Sequence, residues 1–488
     1  MNERWNRDYC VIAAIALVSC LLLAWSGQVV GLIAVGNGQG WDGSVFVRLI
    51  HEIAQDAYTN SDPYRAARTV AFPAIYFIEF CSLQVDLVLV QRDINIALMA
   101  LSACMLYVSA RLKDVPWDVA ATTVATFLSA WCVLVVPVFT PILTDHVAIF
   151  TSSLSLLLWA TDRKRGLYLI VALTIWTMPS SALVPLALLA IQNGHVGSKR
   201  IPDSLRFNTL LFMAVLALCA VVYFWKGHGI LKGVNTHALD FRHNPAGQVT
   251  GSVALLPVSI LVSVVMLLLC VRAAASFIIQ HAGAFCIRHI VVGLAFALAS
   301  FMLMRVMIDF DKGFTASKLV NNMTRQALSA PFKTWVAHTA YFGPVVLLVY
   351  YHVALRRTGL PPALLLCLIG FMPLLALGSE SRQWVAVLPV MILALGFLPL
   401  SMLSRVVLLL VSGMTFWGIW NLNADVTKAV ATHVGLQHPL WNNYLGRVGP
   451  WMSMDVYRHW IAFAALMVVA VLLADSPQRL RRWKSPSA

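Results

Sequence analysis

From Tyr9 to Val35 the chain carries no charged side chain, and comparably apolar runs recur almost to its C-terminal end. A helix needs about 20 apolar residues to cross the hydrocarbon core of a bilayer, and many of these runs reach that length. Composition agrees: the 488 residues are 60% hydrophobic and 11% charged, with a mean hydropathy of +0.78. Soluble chains are about a quarter charged. In hydrocarbon the backbone must satisfy its own polar groups, which leaves helices and closed barrels. The runs are continuous and lack the period of two that a barrel requires. The chain is therefore expected to be an all-α polytopic membrane protein, a single integral membrane domain over 1–488.

Apolar segments at 9–35, 89–110, 117–138, 146–160, 166–177, 180–193, 207–225, 252–275, 289–308, 338–354, 360–377, 383–400, 403–421 and 458–474 predict about thirteen to fourteen crossings. The first is too long for a signal-peptide core and no small-residue cleavage site follows it, so it is expected to stay as an uncleaved helix. The fifth and sixth are short and flank Pro179, where the missing backbone donor invites a break; a shallow helical hairpin is expected there. The net charge of +14 lies mostly in short segments between apolar runs, the pattern of topology control and not of a nucleic-acid surface. Nine scattered cysteines without CxxC spacing read as small core residues.

Threaded from a cytoplasmic N-terminus, these helices put Arg111, Lys113, Arg163 to Arg165, Lys199, Arg200, Arg206, Arg356, Arg357, Arg405 and the basic tail 475–488 on one side, which the positive-inside rule makes cytoplasmic. The predicted location is a bacterial inner (plasma) membrane with both termini cytoplasmic. The segment 36–88 becomes the first extracytoplasmic loop. Within it, 70–90 is apolar enough to be taken for a crossing, yet it holds Pro73, Glu79, Gln84 and Asp86. Were it to cross, every later basic cluster would face outward. It is therefore expected to lie as an amphipathic helix along the outer interface.

Ionisable groups near a membrane are costly and point to function. The densest set follows the first helix: Trp41-Asp42-Gly43, then Asp62-Pro63-Tyr64-Arg65 and Arg68. Asp42 can sit at a cavity rim or cap the next helix, and the same two readings apply to Asp145, which His146 follows. Arg65 and Arg68 stand one helical turn apart and can face a phosphate together, or they can pair with Asp56, Asp62 or lipid headgroups. Glu380 and Arg382 make a further acid and base at an outer turn. Trp441, Asn442, Asn443 and Tyr444 could form a sugar platform or an interfacial anchor. His237 and His243 lack a third ligand at fixed spacing.

The Trp41-Asp42-Gly43 triplet directly after the first helix, followed by Asp62-Pro63-Tyr64-Arg65, Arg68 and Pro73, resembles the first luminal loop of the GT-C superfamily of membrane glycosyltransferases. It looks most like that of the GPI mannosyltransferase V-type family and its bacterial relatives. The motif covers about forty residues; the remainder matches in architecture alone. The resemblance implies inverting transfer from a polyprenyl-phosphate sugar to a glycan, lipid or protein acceptor on the extracytoplasmic side. It makes Asp42 and Asp145 the expected catalytic residues, and Trp41, Tyr64, Arg65, Arg68, His146, Glu380 and Arg382 the expected substrate-binding ones. Asp42 has glycine beside it where the superfamily commonly has a second acid, so no metal or other cofactor is expected; a divalent ion would find few ligands. The expected partners are the lipid-linked donor, the acceptor and membrane lipids. Two other classes are a secondary transporter, which should carry midplane charges and repeated halves, and a cell-envelope polysaccharide polymerase or ligase, which should carry one dominant outer loop. The chain shows no clear repeat and spreads its outer polar residues over several loops.

Overall fold

The computed structural model describes residues 2–192, 240–241, 248–249, 255–308, 316–355, 359–436 and 438–484. The expected helix at 207–225 and the histidines His237 and His243 lie outside them. The architecture is all-α as expected, with one two-residue antiparallel pairing of Asp240–Phe241 with Gln248–Val249. Five helices among the described residues are long and apolar enough to cross a membrane: Asn6–Val30, Leu87–Leu112, Leu256–Ala284, Ile287–Met307 and Met402–Ala431. A sixth candidate is Trp117–Leu128 with Trp131–Phe139, bent by 74°. Asp145–Ala160, Pro179–Ala190, Val345–Ala354, Pro362–Leu377 and Val387–Phe397 are shorter apolar helices.

The molecule is apolar on its outside. Ile287, Val291, Leu294, Leu298 and Val306 along one helix are exposed, while Thr144, Asp145, His146 and Ser152 are buried. A protein in water would reverse this arrangement, which together with the long apolar helices indicates a membrane-embedded chain.

Helix α1 (Asn2–Val30) begins earlier than the apolar run suggests and ends earlier too. Its Asp8 is buried and accepts from Arg111 Nε at 3.0 Å, Arg111 NH2 at 3.2 Å and Tyr107 Oη at 2.7 Å. These donors stand near the end of the helix Leu87–Leu112, so the start of α1 meets the end of that helix and the two run antiparallel. The chain between them therefore returns to the side it left. That return is made by α2 (Gly40–Ala54), α3 (Pro63–Arg68) and α4 (Pro73–Phe80). The eight residues of α4 span about 12 Å, far short of a bilayer core of about 30 Å. Helix α2 buries Gly40, Gly43, Phe46, Leu49 and Ile50 on one side and leaves Arg48 outward, and of the 70–90 segment expected to form one amphipathic helix only Pro73–Phe80 makes a separate α-helix.

Helix α5 (Leu87–Leu112) starts on Asp86, whose carboxylate accepts from Val88 N and Leu89 N. Its buried Asn95 donates to the carbonyls of Pro137 and Pro141, at 3.1 and 2.8 Å. The 136–144 turn is thereby fixed to a long helix. Elsewhere apparent single crossings are broken. The 117–138 segment divides into α6 (Trp117–Leu128), α7 (Trp131–Leu134) and α8 (Val136–Phe139), and the 338–354 segment becomes Lys333–Phe342 and Val345–Leu355, separated at Gly343-Pro344. The 403–421 segment ends its α-helix at Gly413, continues in two 3-10 turns, and has Gly418 at φ +80°. Pro344 and the positive φ of Gly418 stop the regular ladder in the last two of these segments, whereas the break after Leu128 has neither. The expected break at Pro179 is present, between α10 (Lys164–Thr177) and α11 (Leu183–Ala190). The last helix runs from Met454 to Lys484, so the expected crossing continues without interruption into the basic tail.

Candidate active site

The turn that follows α1 brings Gly40 to φ +74°, a conformation that a side chain would strain, and α2 starts there. Three residues later Gly43 packs on the 140–144 turn so closely that a Cβ would lie 3.0 Å from Ile142 Cβ and 3.1 Å from its carbonyl oxygen. The glycine after Asp42 thus sets how near α2 stands to the start of α9 (Asp145–Ala160).

Asp42 occupies the first turn of α2 without capping it; the N-cap is Gln39 and makes no side-chain cap bond. Its carboxylate accepts from Arg65 NH2 at 2.9 Å and from Arg382 NH2 at 3.3 Å. Arg382 Nε also donates to Asp145 Oδ2 at 3.2 Å, so one guanidinium joins both acids. Asp145 is nearly fully buried, and Tyr341 Oη donates to the same oxygen at 3.0 Å. Thr144 is the N-cap of α9 and, like Gln39, makes no side-chain cap bond, so neither acid is spent on helix capping.

Arg65 also pairs with Asp62, at 2.8 Å, while the same carboxylate caps α3 by accepting from Arg65 N at 3.1 Å. Pairing with Asp62, one of the two alternatives for Arg65, therefore occurs together with a contact to Asp42. Arg68, one turn on, spends its donors on the Thr177 carbonyl at 3.1 Å, Tyr64 Oη at 3.3 Å and Thr144 Oγ1, and its guanidinium lies 5.2 Å from the Tyr64 ring centre. None of these partners is a carboxylate.

Seven of the nine expected residues, Asp42, Tyr64, Arg65, Arg68, Asp145, Glu380 and Arg382, line one cavity of about 540 Å³. Trp41 and His146 do not. Trp41 stands beside it, its ring 6.1 Å from that of Tyr444 and inclined to it by 27°, and 5.5 Å from that of Trp441. His146 is buried behind the lining. Phe301, Met304 and Leu374 supply an apolar wall from the helices Ile287–Met307 and Pro362–Leu377. The Pro179 break supplies Met178, Pro179 and Ser180, and Ser180 Oγ ties it to the Arg382 turn by donating to the Gln383 carbonyl at 2.7 Å.

Several supports left no mark in the sequence. Gln326 Oε1 accepts from Ser379 N at 2.7 Å and Glu380 N at 3.3 Å. His338 bonds the Leu375 carbonyl through Nε2 at 3.0 Å, which makes that nitrogen the donor and leaves Nδ1 to accept from Ser381 Oγ at 2.8 Å. Tyr341 and Asp145 are 196 residues apart in sequence.

Burial alone would raise the Asp42 carboxyl, but the guanidinium groups of Arg382 and Arg65 outweigh it and hold the group below the usual carboxylate range. Glu380 goes the other way: burial raises it, Asp42 and Asp145 add to that, and Arg382 offsets only part. Its carboxylate accepts from Gln383 Nε2 at 2.7 Å. Among the described residues no three His, Cys, Asp or Glu side chains gather as metal ligands. Chemically, the cavity presents one acid held by cations, a second acid deeper in, an arginine whose hydrogen bonds among the described residues go to no carboxylate, and an apolar wall. Compared with protein-family models, with curated proteins and with solved structures, the chain matches none.

Proposed function

We propose that the chain is an inverting glycosyltransferase of GT-C type that takes a sugar from a polyprenyl-phosphate donor at the extracytoplasmic face of its membrane. The observation that carries this reading is the convergence, in one cavity, of Asp42, Asp145, Arg65, Arg68 and Arg382 from three separate segments of the chain. An apolar wall on one side suits an isoprenoid, and the guanidinium groups suit the phosphate that the reaction releases.

In the proposed step the acceptor hydroxyl gives its proton to Asp42 as its oxygen bonds the anomeric carbon from the face opposite the phosphate. The bond from anomeric carbon to phosphate oxygen breaks, and the electron pair leaves with the polyprenyl phosphate. Arg68 is the principal phosphate ligand because among the described residues its hydrogen bonds go to no carboxylate. Arg65 and Arg382 start paired with Asp42, which makes that carboxylate a weak base in the free protein. A donor phosphate would draw both guanidiniums toward itself and return basicity to Asp42, so the base is strengthened only when the donor is bound. Asp145 and Tyr341 hold Arg382 in place for this exchange.

Mass spectrometry of lipids copurifying with the full chain tests the substrate class. A polyprenyl phosphate or its glycosylated form should be found, kept by Asp42→Asn and depleted at least about tenfold by Arg68→Gln. If no polyprenyl phosphate is retained, even when it is added to the purified protein, the donor assignment fails. Uptake of a sugar into vesicles without bond cleavage would instead mark a transporter.

A further inference from the structure

A second cavity of about 680 Å³ lies on the other side of the short helix Asn442–Leu445. Tyr444 of that helix stacks on Trp41 beside the acid cavity, whereas Asn442 and Asn443 line the second one. Its walls include Trp25, Trp417, Trp420 and Trp460. Trp417 is 86% exposed and Trp420 67%, and Trp420 meets Trp25 edge to face at 5.7 Å. Leu17, Leu21 and Trp25 follow one another at four-residue spacing on the exposed face of α1, so an apolar strip leads along that helix to the cavity mouth.

Arg447 also lines it and is among the largest fully buried side chains of the chain. Its terminal nitrogens donate to main-chain carbonyls of Asn443, Thr415 and Trp417, and its guanidinium carbon lies 3.7 Å from the Trp131 ring centre. Nε is buried with no hydrogen-bond partner among the described residues. No carboxylate pairs with Arg447 among those residues, and burial pulls its guanidinium down from the ordinary value. A buried cation without a counter-ion is costly unless something neutralises it. Asn443 is already committed to Asp425 at 2.6 Å, which leaves Asn442 as the amide at the site whose side chain has no hydrogen-bond partner among the described residues.

We infer that this cavity binds one anionic phosphate-headed membrane lipid, its headgroup at Arg447 and Asn442 and an acyl chain along the Leu17, Leu21 and Trp25 strip. The tryptophans suit the boundary between headgroup and chain, where an aromatic ring has one apolar and one wet side. The site is separate from the acid cavity and stands whether or not the chain transfers sugars.

Gly413 allows a direct test. It lines the cavity, its φ of −58° is helical, and an added Cβ would meet nothing within 4 Å. Gly413→Phe, with Gly413→Leu as the smaller replacement, should fill the cavity while leaving elution and unfolding temperature unchanged. Native mass spectrometry of the full chain in micelles doped with phosphatidylglycerol or phosphatidylcholine reads occupancy. One phosphatidylglycerol should bind, at least about fivefold better than phosphatidylcholine, and both Gly413 variants should lose it by a similar factor. Millimolar inorganic phosphate should not displace it, since the chain is part of what is recognised. Equal occupancy in the wild type and a folded Gly413 variant, or no preference between the two lipids, overturns the site. So does an adduct lost in Arg68→Gln and kept in Gly413→Phe, which would put the lipid in the acid cavity.

Discussion

Asp42 is held by two guanidinium groups, and such a carboxylate is ionised wherever a membrane protein works. Its contribution to stability is present above the unfolded carboxylate value of about 3.9 and is lost only as pH falls through the lower folded value. Glu380 has the opposite sign. Its carboxyl is raised, so stability declines as pH climbs from about 4.3 through the folded value and stays reduced above it. Glu380→Gln keeps an oxygen for Gln383 and removes the charge. The variant should unfold at a higher temperature than wild type at pH 7 and at the same temperature near pH 4; a lower unfolding temperature at pH 7 would show that the charge is stabilising. For Asp145→Asn we expect at least a tenfold loss of transfer, about 1.4 kcal/mol of transition-state stabilisation. Because Arg382 joins both acids, the changes in unfolding free energy caused by Asp42→Asn and Asp145→Asn should not add in the double variant, and additive changes in melts would separate the two residues. At this scale the acids and arginines were legible, because ionisable residues beside apolar runs stand out. Tyr341 and Gln326 were not, since nothing in an isolated tyrosine or glutamine reveals a partner far along the chain.

Among elements, the return made by α2, α3 and α4 matters most. A hydropathy window cannot distinguish a crossing at 70–90 from a short helix on a surface; charge parity could, and the Asp8 to Arg111 pairing supplies an independent physical reason. Broken helices were harder to foresee. Pro179 announced its break, whereas the 74° bend after Leu128 follows no proline at the bend and rests on how α6, α7 and α8 pack. Gly43 belongs to this scale because it sets the spacing between α2 and the 140–144 turn. Gly43→Val should press on Ile142, cost about 1–3 kcal/mol of stability by overpacking, and displace Asp42 enough to lower transfer about a hundredfold. Circular dichroism melts and a transfer assay check the two parts separately; full transfer activity in the variant would release Asp42 from this dependence on spacing.

For the whole molecule, long apolar helices and exposed apolar side chains indicate a membrane-embedded chain, and the proposed function puts the acid cavity at the outer face. On a background freed of native cysteines, Asn60→Cys should react with a membrane-impermeant thiol reagent on intact cells and Lys113→Cys should not; the reverse pattern would turn the topology over. In the proposed reaction one carboxylate, Asp42, takes the proton from the acceptor. The most direct measurement is sugar transfer from a polyprenyl-phosphate donor by purified, folded Asp42→Asn protein beside wild type. Wild type should turn over and the variant should not, with donor binding retained in both. Undiminished turnover by the variant would contradict that role of Asp42.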